Sequence, residues 1–239
     1  MPQRATQSMT KRTKTVNNSM HVKIDDLLQY DPLTKNQEVA YEAWDAGDNL
    51  VLTGTAGTGK TFMALYLALE DVLERAEYDK LIVVRSMVPT REMGYLPGAK
   101  EEKEAAFTAP YKAICNELFG DKNSYQKMIT SGQIQFESTS FIRGTTFDNA
   151  IIVVDEMQNL NFHELDSVIT RVGRHSKIIF CGDYKQSDFK YDDEKNGIIR
   201  FLQIVEQLKN FSVINFGWED IVRSDFVRDY IMTKEMLGY

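Results

Sequence analysis

Eight residues, Gly54-Thr55-Ala56-Gly57-Thr58-Gly59-Lys60-Thr61, set three glycines, a lysine and a hydroxyl at fixed spacing. Glycine tolerates positive φ, so such a loop can turn several backbone N–H groups toward one anion. Where the loop opens a helix, the helix N-terminus adds partial positive charge. A lysine in the place of Lys60 neutralises β- and γ-phosphates, and a hydroxyl in the place of Thr61 ligates Mg2+. The stretch satisfies GxxxxGK[ST] with an apolar run, "NLVLT", before it and apolar residues at helical spacing after it. That pattern implies a bound nucleoside triphosphate.

Two further stretches carry side chains suited to the same ligand. "AIIVVD" is an apolar strand ending in Asp155, a carboxylate placed to hold magnesium together with Thr61. The next residue, Glu156, can orient and deprotonate a water attacking the γ-phosphate, or it can simply solvate a strand end. Hydrolytic motor ATPases carry an acid there and small GTPase switches do not, and the chain has no NKxD guanine-reading motif. "CGDYKQSD" follows another strand, and the amide of Gln186 both donates and accepts hydrogen bonds, as a sensor of the γ-phosphate must.

These residues need elements to hold them. Strands are expected at 49–53, 81–85, 134–138, 150–155, 177–183 and 211–216, with helical stretches between them. Thr34 and Gln37 have the form of a capping box opening a helix that runs to Trp44 and stops at Gly47. A helix over 161–172 has Asn161 as cap, Glu164 three residues on and Gly173 as stop. Further helical patterns occupy 197–209 and the region from about 219. Strands apolar on both faces, alternating with helices, imply an α/β fold: a mostly parallel sheet with helices on both sides. Residues 86–131 read as a helical and loop insertion within one domain, 24–239.

Composition narrows the class. The 239 residues are 43% hydrophobic and 26% charged with net charge −7, a balance that suits a globular protein and argues against a dedicated duplex-DNA binder. Residues 1–23 form a basic arm with Arg4, Lys11, Arg12, Lys14 and Lys23, either a solvated terminus or a phosphate contact. No apolar run is long enough to span a membrane, and no secretory leader is visible. Cys115 and Cys181 lack metal-site spacing and read as buried hydrophobes in a reducing cytoplasm.

In order and spacing, "GTAGTGKT", "VVDEMQN" and "GDYKQSD" resemble the PhoH-like ATPases, in particular short phage-type members, which are similar to the first motor domain of superfamily 1 helicases. The likeness extends through "IVVRSMVPTREMGYLPGAKEEKEAAFTAPY", "FIRGTTFDNAIIVVDEMQN" and "WEDIVRSDFV", covering roughly residues 30–232. Two departures are Ser86, where many members have proline, and Met157, where alanine is usual. No nuclease domain precedes the core, so the ribonuclease activity of fused relatives is not implied.

The resemblance implies a RecA-like P-loop ATPase using ATP and Mg2+, with the cradle from Gly54 to Thr61 and catalytic roles for Lys60, Asp155, Glu156 and Gln186. It implies an adenine-reading role for Gln37, in competition with helix capping. It makes Arg223 an arginine finger toward a neighbouring subunit, in competition with pairing to Asp220 or Asp225. Arg85, Arg91 and Tyr95 fall where helicases contact single-stranded nucleic acid. One motor domain where helicases use two implies a homo-oligomeric ring, a hexamer, that completes the ATP site in trans. The expected function is ATP hydrolysis coupled to RNA or single-stranded DNA; the alternatives are a small-molecule kinase and a non-hydrolytic ATP-binding regulator. The family's name links it to phosphate starvation, but no residue here is recognisable as a phosphate sensor.

Overall fold

The computed structural model describes residues 21–74, 77–86, 100–140, 142, 144–183 and 192–238. Six strands form one sheet in the order β3-β2-β4-β5-β1-β6: β1 (Asn49–Gly54), β2 (Lys80–Arg85), β3 (Ile134–Ser138), β4 (Ala150–Val154), β5 (Lys177–Gly182) and β6 (Phe211–Phe216). Every pairing is parallel. Among the described residues seven α-helices accompany them: α1 (Lys35–Asp45), α2 (Lys60–Glu74), α3 (Lys100–Phe119), α4 (Ser124–Ser131), α5 (Phe162–Ile169), α6 (Asp192–Val205) and α7 (Asp225–Met236).

Successive strand residues point to opposite faces, and the two faces build two cores. Leu50, Leu52, Leu81, Val83, Ile151, Val153, Ile179 and Cys181 join the cluster under α1 to α4. Val51, Ile82, Val84, Ile152, Val154, Ile178 and Phe180 join the cluster under α5 and α6. Helices on both faces of a parallel sheet give the α/β, RecA-like P-loop arrangement that the sequence implies. Strand β5 separates the strand leading into the glycine loop, β1, from the strand leading to Asp155, β4. The segment after Gly182 therefore starts between those two motifs.

All six expected strands form, to within a residue at each end. The helices differ more. The Thr34–Gln37 capping box is only half made: Thr34 Oγ1 accepts from the Gln37 N–H at 3.4 Å, but Gln37 Oε1 accepts from the Leu33 N–H, one residue before the cap. The box at Asn161 and Glu164 is complete, yet α5 ends at Ile169 rather than at 172. Gly173 does not terminate it; it packs so closely on Thr146, Phe147 and Asp148 that a Cβ would clash with the Asp148 carboxylate. Beyond β6 a 3-10 turn, Trp218–Asp220, precedes α7, which starts at Asp225 rather than 219. Cys115 and Cys181 are free and buried. Among the described residues no helix is long and apolar enough to cross a membrane.

Candidate functional site

The parallel strands β1, β4, β5 and β2 end side by side, so the residues following them share one edge of the sheet. At the end of β1 the chain turns sharply: Gly54, Gly57 and Gly59 have φ of +110°, +76° and +83°. Gly54 is required sterically as well, because a Cβ there would overlap the Phe216 carbonyl of the neighbouring strand. The Thr55 N–H donates to that same carbonyl at 2.9 Å, which ties the loop's first residue to β6.

Lys60 starts α2 and turns its ammonium back into the loop, donating to the Gly54 carbonyl (2.8 Å), the Thr55 carbonyl (2.7 Å) and Thr58 Oγ1 (3.3 Å). Burial holds its pKa below the ordinary lysine value, against the opposing pull of Asp183, Cys181, Glu156 and Asp155. The cation is thus enclosed, and an arriving anion would replace neutral oxygens around it. Thr61, next on α2, donates from Oγ1 to Asp155 Oδ1 at 2.8 Å across the gap between β1 and β4. The sequence pairing of Thr61 with Asp155 is realised as a direct contact.

Asp155 is buried, and its second oxygen, Oδ2, accepts from the Tyr111 hydroxyl of α3 at 2.9 Å. Glu156 follows in the left-handed region, with φ +52° and ψ +45°, a costly conformation for a side chain of this size. The turn reverses the chain at the strand end, and the Glu156 carboxylate accepts from the Gln158 amide. The other end of that amide, Oε1, accepts from the Asp183 N–H at 3.1 Å, so Gln158 joins the ends of β4 and β5. Burial and the adjacent Asp155 raise the Glu156 pKa above its ordinary value; Arg85, Gln158 and Lys60 oppose the rise.

Arg85 closes β2, with its guanidinium over the Phe107 ring at 6.0 Å from the centroid. Burial works against its charge, but Tyr111, Asp155 and Glu156 nearby more than compensate. Gln37 reaches the loop from α1: its Nε2 donates to the Thr58 carbonyl at 3.0 Å.

Arg223 arrives from the opposite side. Asp220, buried, accepts from the Gly217 N–H (2.9 Å) and from Asn36 Nδ2 of α1 (2.7 Å), which pins the turn after β6. The chain then crosses the glycine loop, with the Val222 N–H donating to the Gly57 carbonyl at 3.1 Å. A methyl group on Gly57 would come within 3.0 Å of Arg223 Cγ and 3.3 Å of Ile231 Cδ1. The stem of Arg223 therefore lies beside the loop of its own chain, and the residue is exposed. Asp220 is engaged by Asn36 and Gly217 rather than by this arginine. α7 also touches the loop through Glu235, whose Oε2 accepts from Thr55 Oγ1 (3.4 Å) and from Trp218 Nε1 (2.6 Å).

The structure thus gathers Gly54 to Thr61, Gln37, Asp155, Glu156, Arg85 and Arg223 at one edge of the sheet. Gln186, Arg91 and Tyr95 lie outside the described residues. Tyr111, Gln158 and Glu235 escape a reading of the sequence. Gln158 stands two residues after Glu156 and a motif argument can reach it, whereas Tyr111 and Glu235 are distant in the chain and carry no local signal.

A model of the family described as "PhoH-like protein" matches residues 29–234. Protein PhoH2 of Bacillus subtilis (strain 168) is 38% identical over 164 residues, which is 67% of this chain and 37% of that protein. The PhoH-like protein of Mycobacterium leprae (strain TN) is 31% identical over 202 residues, 84% of this chain and 57% of the relative. The chain thus spans about a third to just over half the length of these relatives. The large terminase from a thermophilic bacteriophage, solved in complex with ADP, overlays 86% of this chain and 50% of its own at 13% identity and a TM-score of 0.46. The family match runs from the segment before α1 into α7 and takes in the glycine loop, Asp155 and Glu156: the chain belongs to the PhoH-like protein family.

Proposed function

We propose that this chain binds ATP in the cradle from Gly54 to Thr61 and hydrolyses it to ADP and phosphate. The observation that carries the reading is the meeting of Lys60, Thr61, Asp155 and Glu156 at the ends of β1 and β4, with Thr61 Oγ1 on Asp155 Oδ1 at 2.8 Å. An all-oxygen pair of hydroxyl and carboxylate suits a hard divalent cation such as Mg2+. Thr61 and Asp155 would hold that ion, which when bound offsets the charge of the phosphate oxygens.

The rest of the chemistry falls to the chain itself. Loop N–H groups and Lys60 bind the phosphates, and Lys60 exchanges carbonyl partners for phosphate oxygens. Glu156, held by Gln158, accepts the proton of the attacking water; a raised pKa moves this carboxylate toward the range where a base works well. Arg223, lying on its own loop at Gly57, stabilises charge developing at the γ-phosphate within the same chain. Gln37 anchors α1 to the loop near where adenine would sit, and Gln186 reads the γ-phosphate. Coupling to single-stranded RNA or DNA through Arg85, Arg91 and Tyr95, and assembly into a homo-oligomeric ring such as a hexamer, complete the reading.

The test is phosphate release from purified protein with ATP and Mg2+, alone and with single-stranded RNA, single-stranded DNA or duplex. Lys60→Ala is expected to abolish turnover, and Glu156→Gln to keep ATP binding while lowering turnover at least about a hundred-fold. Near-normal hydrolysis by Glu156→Gln would remove it as the base, and no response to any nucleic acid would remove the coupling.

A further inference from the structure

We propose that Tyr111 is a positioning residue for the Asp155 carboxylate and ties it to Arg85, so that a strand-end cation and a metal-holding oxygen pair form one mechanical unit. This role deepens the proposed ATP chemistry and rests on its assignment of Asp155. Each oxygen of this buried carboxylate has its own donor: Thr61 Oγ1 holds Oδ1 at 2.8 Å, and the Tyr111 hydroxyl holds Oδ2 at 2.9 Å. Two donors from two different helices leave the carboxylate one orientation. Without Tyr111, Oδ1 would keep a partner but the carboxylate plane would be free to rotate about it.

The phenol is itself fixed. Tyr111 is buried, with its ring 6.0 Å from Phe136 of β3. One helical turn earlier on α3, Phe107 supports the Arg85 guanidinium, which lies beside the phenol oxygen. Residues four apart share one face of a helix, so a single face of α3 carries both the arginine's support and the carboxylate's donor. Pro110 lies inside α3 directly before Tyr111. Lacking an N–H, it removes one rung of the helical ladder where the two contacts meet, and gives the helix a place to bend. A phosphate that pulls on Arg85 therefore pulls on the element that aims Asp155.

Tyr111→Phe deletes the donor and keeps the ring, so the fold is expected to survive with a melting temperature within a few degrees of the parent. Binding of a fluorescent ATP analogue is measured as Mg2+ is titrated. The variant is expected to need about ten times more Mg2+ for half-saturation, the usual scale for losing a group that orients a ligating side chain. Binding of the same analogue in chelator should be unchanged. An unshifted or lower Mg2+ midpoint overturns the positioning role, and this readout requires no turnover. A parent protein that binds the analogue but releases no phosphate would sink the functional reading and leave the midpoint to decide on Tyr111. Phe107→Leu loosens Arg85 and leaves the phenol in place. It is expected to keep the parental Mg2+ midpoint and lose at least half of the stimulation by single-stranded nucleic acid. Full stimulation in that variant overturns the tie to Arg85.

Discussion

Of the helices that touch the glycine loop, α2 and α7 are built in opposite ways. α2 continues directly from it, and Met63 through Leu69 are all buried in the core under the sheet. α7 lies across the loop from the other side and buries none of its residues; Phe226 is 80% exposed, Tyr230 64% and Met236 72%. α2 holds its place through apolar area, whereas α7 is held near the loop by a few contacts of Ile231, Glu235 and Trp218. The difference teaches which half of the site must be exact. Lys60 and Thr61 ride on the deeply buried helix, where the proposed binding of phosphate and cation would tolerate little displacement. The loop's other flank has the low contact density of elements that open locally, and ligand-binding segments are commonly drawn from such elements.

Removing one aromatic side chain from each region separates the rigid core from the loosely held flank. Phe180 is fully buried in β5, with its ring 4.8 Å from Phe201 of α6. Phe180→Ala is expected to cost about 3–5 kcal/mol in a denaturant titration. Phe226→Ala on α7 is expected to stay within about 0.5 kcal/mol. A large loss from Phe226 would mean that α7 is part of the core assembly after all.

The same contrast explains what could be read from the chain. Strands β1, β2, β4 and β5 are buried along their length and announce themselves as continuous apolar runs, whereas the edge strands β3 and β6 are only partly buried; all six form where expected. The glycine loop and Asp155 are legible because chemistry fixes residue types at fixed spacing. Thr61 meeting Asp155 follows from those motifs, but Tyr111 meeting Asp155 does not. The latter joins positions 44 residues apart, through a helix whose face is set by tertiary packing. Gln37 misled for a related reason: threonine with glutamine three residues on has the local form of a cap, yet packing against the loop gave the amide better partners in Thr58 and Leu33. Arg223 carries two readings, a finger for a neighbour or a partner of Asp220 or Asp225, because its sequence context carries no information on how the chain folds back after β6. The Asn36–Asp220 contact makes that fold-back.

Arg223 offers the next test, because it belongs to the loosely held flank and yet is assigned a role in turnover. Arg223→Ala is expected to lower phosphate release by about a hundred-fold or more, within the range for removing one charge-stabilising donor. Mixing Arg223→Ala protein with Lys60→Ala protein separates the two arrangements. If the arginine serves its own loop, every subunit in the mixture lacks one essential group and activity stays absent. Recovery of activity on mixing would show that the residue reaches across to a second copy.

The smallest effect lies on the rigid side, in the stability of the fold rather than in turnover. Burial beside Asp155 raises the Glu156 pKa above its ordinary value. The folded chain then keeps a proton on this group at pH values where the unfolded chain has released it. Stability is lost on this account as pH rises through the ordinary carboxylate range, and restored as pH falls below it. Glu156→Gln removes the charge while keeping the shape. In nucleotide-free protein with chelator at neutral pH, it is expected to raise the melting temperature by about 2–4 °C, the shift that roughly 1 kcal/mol produces in a domain of this size. The gain should shrink toward zero as pH is lowered through the carboxylate range. A gain independent of pH would trace instead to the left-handed backbone at this position, and a loss would mean that Glu156 is held by its partners more strongly than burial opposes it. The expected pattern means that the base is kept charged at the expense of the fold, an expense that the buried strand ends can bear and the exposed flank of α7 does not face.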